Sequence, residues 1–192
     1  MNRIRSSAYL LLGSYILMAL LLFIWPFQLD GYSWKQHSIA EMAAQNTPFS
    51  WIFNGLWVGL GIGIVWAGRN LMYGYWFQRI LLSIFGLSLI FSAFFSAAPI
   101  NPDLTYNLKE AELHFIFKTL SQGAFIVLAM AISFVLKDKK DKILGWIIVT
   151  IATVFTLLLF TLSSYSGILQ HLLFLGSFGW LIYLFGFSEE QT

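Results

Sequence analysis

The sequence predicts an all-α, polytopic integral membrane protein: a six-transmembrane-helix bundle with a short interfacial helix in the first outer loop, forming a single domain over residues 1–192. Three observations predict it. Apolar residues make up 58% of the chain and charged residues 10%, whereas a soluble protein carries about 25% charge. The apolar residues fall in six runs, each long enough to cross a hydrocarbon core of about 30 Å. Polar segments separate these runs, most sharply at Lys137-Asp138-Lys139-Lys140-Asp141-Lys142, a stretch too polar to lie in lipid.

The first span, about Ala8–Phe27, follows the basic start Met1-Asn2-Arg3-Ile4-Arg5 in the manner of a signal peptide. Its apolar run is long and no small-residue cleavage site precedes Trp25-Pro26, so it is expected to stay as an anchor. Within the next connection, Ser38-Ile39-Ala40-Glu41 has the spacing of a capping box and predicts a short helix from Ile39 to Gln45. Thr47 and Pro48 are then placed to cap and start the second span, about Trp51–Gly68. Gly55, Gly59 and Gly63 recur every four positions there, a pattern that lets another helix of the same monomer approach closely. The third span covers about Ile80–Ala98. The fourth, Asn107–Leu136, opens on Asn107-Leu108-Lys109-Glu110, a second capping pattern that makes Glu110 structural. The fifth and sixth cover Ile143–Leu162 and Ile168–Phe187.

Orientation follows from the basic residues. Arg3, Arg5, Arg69, Arg79, Lys137, Lys139, Lys140 and Lys142 fall on one side, whereas Lys35 and Lys109 fall in loops of the other. The excess of basic residues marks the cytoplasmic side, so both termini are expected inside a plasma membrane. The segments Gln28–Ser50, Pro99–Tyr106 and Ser163–Gly167 then lie outside. Trp25, Tyr32, Trp34, Trp51, Tyr73, Tyr75, Trp76 and Tyr106 sit near span ends and are expected to form interfacial belts.

This topology gathers the polar residues at the outer face. His37 lies in the first loop, His114 near the start of the fourth span and His171 near the start of the sixth. His114 and Lys118, four apart, share one helix face about 6 Å apart along the axis, and Ser121 and Gln122 extend the stripe. A lysine inside an apolar helix costs at least about 2.5 kcal/mol if it faces lipid, so Lys118 should point into the bundle. Asp103, Glu41 and the imidazoles are its available partners. The candidate ligand-binding residues are Ser38, Glu41, Asn54, Lys118, Gln122 and Gln170; Asp103 and His114 are the candidate catalytic pair; His37, His114 and His171 are the candidate metal ligands.

Tyr32-Ser33-Trp34-Lys35-Gln36-His37-Ser38-Ile39-Ala40-Glu41, the Thr47-Pro48 start of the next span, and Pro99-Ile100-Asn101-Pro102-Asp103 running on to His114 carry a resemblance. The chain resembles the prokaryotic membrane-protein family catalogued as domain of unknown function 998, itself similar in architecture to the Frag1/DRAM/Sfk1 group. The resemblance implies six spans and singles out Ser38, Glu41, Asp103, His114 and His171. In that family the first loop typically reads Ser-Ile-Ser-Glu; here Ala40 stands in the third place, so that serine's hydroxyl is absent. The resemblance implies no established activity.

Several chemistries lack their parts. There is no cysteine, and no His-Glu-x-x-His helix, Gly-rich phosphate loop or Gly-x-Ser-x-Gly elbow, which leaves no basis for nucleotide binding or serine hydrolysis. The few basic residues serve topology rather than nucleic acid. Three functions stay open. An outer polar pocket of His, Asp and Lys binds a lipid headgroup or small amphiphile. Alternatively, three imidazoles and Asp103 hold a zinc ion that activates water for hydrolysis or transfer on a membrane lipid. A proton-coupled carrier of a small solute is the third, and it requires polar groups at several depths.

Overall fold

The computed structural model describes residues 8–101 and 103–187. The basic start with Arg3 and Arg5, and Pro102 of the second loop, lie outside the described residues. Six helices follow in chain order: α1 (Tyr9–Ile24), α2 (Ser50–Leu71), α3 (Trp76–Phe94), α4 (Leu108–Val135), α5 (Lys139–Thr161) and α6 (Ser166–Gly186). All six are long and apolar enough to cross a membrane, counting with α1 the 3-10 turn Trp25–Gln28 and with α6 the 3-10 turn Ser163–Tyr165. The protein is a multi-pass membrane protein.

Helices adjacent in sequence are adjacent in space, and α6 closes the bundle against α1 and α2. α6 is the central element, with 56% of its apolar window buried against 17% for α5, which lies at the edge. An aromatic core joins them: Phe174 lies 4.8 Å from Phe178, and Phe85 packs on both Phe125 and Phe178. The Tyr15 hydroxyl donates to the Leu175 carbonyl at 3.1 Å and fixes α1 on α6.

The glycines of α2 serve two neighbours. A Cβ at Gly59 would meet the Ser14 hydroxyl at 2.5 Å, and one at Gly63 would lie 2.8 Å from the Leu11 backbone, so this face receives α1. Gly61 turns to α3, where a Cβ would lie 2.6 Å from the Gly86 carbonyl. Gly55 has nothing within 4 Å and takes no part. The small-residue pattern is thus a packing device inside the monomer, and the second face comes from Gly61, which the four-residue count skips.

Several boundaries differ from the sequence expectation. Thr47 and Pro48 do not start α2; Asn46 and Phe49 adopt left-handed φ of 64° and 57°, the chain turns there, and the helix begins at Ser50 without a side-chain cap. The short helix after Ser38 is a 3-10 helix, Ile39–Ala43, that stops before Gln45. α3 starts four residues early at Trp76, with Gln78 buried and donating to the Ala131 carbonyl of α4 at 3.1 Å. α5 starts inside the charged run: Asp138 caps it by accepting from the Lys140 N–H at 2.6 Å, and buried Asp141 accepts from the Tyr183 hydroxyl at 2.7 Å. A helix crossing lipid need not end where the lipid does, so hydropathy marks the crossing rather than the helix.

Candidate functional site

Residues 29–49 fold as a cap over one end of the bundle, held by hydrogen bonds at both edges. On one side Gln45 binds the α3–α4 connection. Its backbone N–H donates to the Ala97 carbonyl at 2.9 Å, its side-chain amide donates to the Ser96 and Asn107 carbonyls, and its side-chain carbonyl accepts from the Asn107 N–H at 2.7 Å. Asn46 adds a bond to the Thr105 carbonyl. On the other side the Gly167 N–H donates to the Lys35 carbonyl at 3.1 Å and the Ser166 hydroxyl to the Gln36 carbonyl at 2.7 Å. A Cβ at Gly167 would lie 2.6 Å from the His37 carbonyl, so only glycine lets α6 start this close to the cap.

Inside the cap, Ser38 and Glu41 form a capping box, the Glu41 carboxylate accepting from the Ser38 N–H. Trp34 and Tyr32 are structural anchors rather than belt residues. The Trp34 indole donates to the Leu22 carbonyl at 2.9 Å and stacks on the His171 ring with centroids 4.4 Å apart. The Tyr32 hydroxyl lies 3.1 Å from the His37 carbonyl and 3.3 Å from His171 Nε2. Burial, and then the Glu41 charge, push the Tyr32 hydroxyl above its ordinary pKa and keep it a donor.

The three histidines do not converge. His37 Nδ1 accepts from the Ser33 N–H at 2.8 Å. His171 Nδ1 faces the Gly167 carbonyl at 2.6 Å and therefore carries the proton, which leaves Nε2 to accept from Tyr32. His114 stands on α4, its Nδ1 2.9 Å from the Ser92 carbonyl and 2.7 Å from that of Phe95, so this nitrogen too is the protonated one. Among the described residues no group of three His, Asp or Glu side chains is arranged to hold a metal ion. The zinc expectation built on His37, His114 and His171 does not fit this donor set: His37 and His171 both neighbour Tyr32, whereas His114 turns to the Ser92 and Phe95 carbonyls at the end of α3. Asp103 is exposed in the α3–α4 connection, its N–H bonded to the Asn101 side chain, and is not part of the wall that His114 lines. Glu110 is structural, as expected, but its carboxylate accepts from the Ser96 N–H at 2.9 Å and ties the end of α3 to the start of α4, while the Asn107 N–H that a capping box would give it donates to Gln45.

What His114 does line is a cavity of about 130 Å³ beneath the cap. The 3-10 helix supplies its roof through Ile39 and Ala40, and every long helix except α1 contributes to its walls. Three of the expected ligand residues, Lys118, Gln122 and Gln170, meet there; Ser38, Glu41 and Asn54 are not in its lining, although Ser38 and Glu41 cap the helix that roofs it. The cavity is graded. Ser92, His114 and Gln170 lie nearest the cap, Lys118 one turn below His114, and the Gln122–Thr156 pair about level with Phe85 and Phe178, while Phe125 and Ala152 lie up to one helical turn deeper. Phe125 follows Lys118 by seven residues, which is about 10 Å along α4.

Some of the polar groups are already satisfied and some are not. The Gln122 amide donates to the Thr156 hydroxyl at 2.8 Å, which donates onward to the Ala152 carbonyl; the Ser121 hydroxyl donates to the Lys118 carbonyl. His114 Nε2 is buried with no hydrogen-bond partner among the described residues. Lys118 has no hydrogen bond or contact ion pair among the described residues; Glu41 is the acid whose charge reaches it, as it reaches Tyr32 and His114. Sequence reasoning missed Thr156 and Trp57 in this lining. Thr156, a hydroxyl inside the apolar run of α5, was the available signal; Trp57 gave none, since an aromatic in a span reads as packing.

The model of the family described as Protein of unknown function (DUF998) matches residues 11–186. No curated protein and no solved structure matches the chain.

Proposed function

We propose that this chain, which belongs to the family of that description, binds a small amphiphile or the headgroup of a membrane lipid in the cavity beneath its cap. One observation carries the reading: a single cavity joins an ammonium, an imidazole, amides and hydroxyls, most of them in its cap half, to an apolar wall of Phe85, Phe125, Ala152 and Phe178 that continues below them. A molecule with a polar head and an apolar body matches that order, and a freely soluble polar solute does not. The volume limits what enters. A cavity of about 150 Å³ holds a benzene-sized body, so about 130 Å³ admits a head and a few carbons rather than a whole two-chain lipid. The basic residues at the end opposite the cap support an orientation with the cap outside a plasma membrane and both termini cytoplasmic. The carrier alternative draws less from this lining, whose polar groups end at about the level of Gln122, Thr156 and Ser177.

The test is saturable binding. The protein in phosphatidylcholine nanodiscs is titrated with six-carbon amphiphiles bearing a terminal trifluoromethyl group and followed by fluorine NMR. Saturable binding that is lost in Ala152→Phe, a substitution that fills the deep end, is the expected result. Partitioning indistinguishable from empty nanodiscs for every probe would defeat the reading.

A further inference from the structure

We infer that the head of the bound molecule is an oxyanion, a carboxylate or phosphate, held by the Lys118 ammonium; this rests on the amphiphile reading above. The geometry narrows the head in three steps. Lys118 is enclosed by the bundle and lines the cavity, and among the described residues no acidic oxygen stands within ion-pair distance. The acids nearest in the fold are committed elsewhere: Glu41 accepts from the Ser38 N–H in its capping box, and Glu110 accepts from the Ser96 N–H. A buried cation with no contact partner retains a large part of its desolvation cost, which an anionic oxygen brought by a ligand offsets.

The second step concerns the rest of the polar wall. Gln170 makes no hydrogen bond among the described residues, and its side-chain amide supplies a further donor on the helix facing Lys118. The Gln122 amide is spent in part on Thr156 and keeps one N–H. Ammonium and amide donors around a small volume suit an oxygen cluster carrying negative charge, to which the unprotonated His114 Nε2 in the same lining, an acceptor, adds nothing. The third step is exclusion. A cationic head would meet Lys118 without a carboxylate to balance it, because among the described residues the cavity wall holds no Asp or Glu. A plain alcohol would leave the ammonium's charge uncompensated.

The experiment compares four probes that share one six-carbon tail with a terminal trifluoromethyl group, on the full protein in phosphatidylcholine nanodiscs: a carboxylate, a monoalkyl phosphate, an alcohol and an amine. At least one of the two anions is expected to bind about tenfold or more tightly than the alcohol, the range of one hydrogen bond to a charged group. That preference is expected to vanish in Lys118→Met and to survive in part in Lys118→Arg. Thermal unfolding confirms that each variant is folded, and Lys118→Gln serves if Lys118→Met is not. Whichever anion binds tighter names the source chemistry. Equal binding of alcohol and anion, tighter binding of the amine, or a preference unchanged in folded Lys118→Met or Lys118→Gln would each overturn the inference while leaving the amphiphile reading standing. Inorganic phosphate competing as well as the alkyl phosphate would keep the oxyanion and overturn the amphiphile. Saturable binding of none of the four would overturn both.

Discussion

Gly61 and Gly86 meet backbone to backbone where α2 crosses α3, each so placed that a Cβ would stand 2.6 to 2.8 Å from the other's carbonyl oxygen. Neither obstacle is a flexible side chain, so the helices would have to separate to admit a larger residue. Gly86→Val is therefore expected to destabilise the protein by about 1–3 kcal/mol, the range for overpacking a tight contact. Gly55→Ala, with nothing within 4 Å of its Cβ, should be neutral or gain up to about 1 kcal/mol from helix propensity. Thermal unfolding in one detergent, read by tryptophan fluorescence, compares the two; equal losses would mean that the crossing is not close.

Gln45 predicts a different failure. Its side chain makes three hydrogen bonds to the α3–α4 connection, each contributing about 0.5–1.5 kcal/mol. In Gln45→Ala the helices should keep their stability while the connection loosens. Hydrogen exchange is expected to accelerate at the backbone amides of Gln45 and Asn107 and to stay unchanged in the core of α6. Exchange that rises uniformly would show that the cap and bundle unfold together.

The shift at Tyr32 fixes a pH dependence. Its folded-state pKa lies above the unfolded value of 10.0, through burial first and Glu41 second. The folded state thus holds the proton more tightly, and the stability this confers is complete below about pH 10 and declines as pH rises beyond it. Unfolding temperatures measured from neutral to strongly alkaline pH should fall more steeply above about pH 10 in the wild type than in Tyr32→Phe, which has no proton to lose. Parallel curves would remove Tyr32 as the cause.

Position in the sequence revealed depth much better than direction. The six crossings, the capping box at Ser38 and the N-cap at Asn107 were legible because each depends on residues within a few positions of one another. The meeting of Lys118, Gln122 and Gln170 was half legible: α4 sets the first two on one stripe, but that α6 turns Gln170 toward them is decided by packing. The histidines show the same limit from the other side, since a shared membrane face left open that His37 and His171 meet at Tyr32 while His114 turns to α3. Gln45, Tyr32 and Trp34 were undervalued because their partners lie in other elements, as with Trp34 and His171.

The bonds from Lys35 and Gln36 to Gly167 and Ser166 also order the protein's assembly. A ribosome releases residues 29–49 after one span and their α6 partners only after five. Until the last hairpin is inserted, the carbonyls of Lys35 and Gln36 must be served by water, and Trp34 lacks the imidazole it stacks on. Chains fold from the N-terminus as they emerge, and contacts between distant segments form late. A chain truncated before Ser166 would therefore display an unfastened cap at the membrane surface, where a quality-control protease can distinguish it from the finished protein.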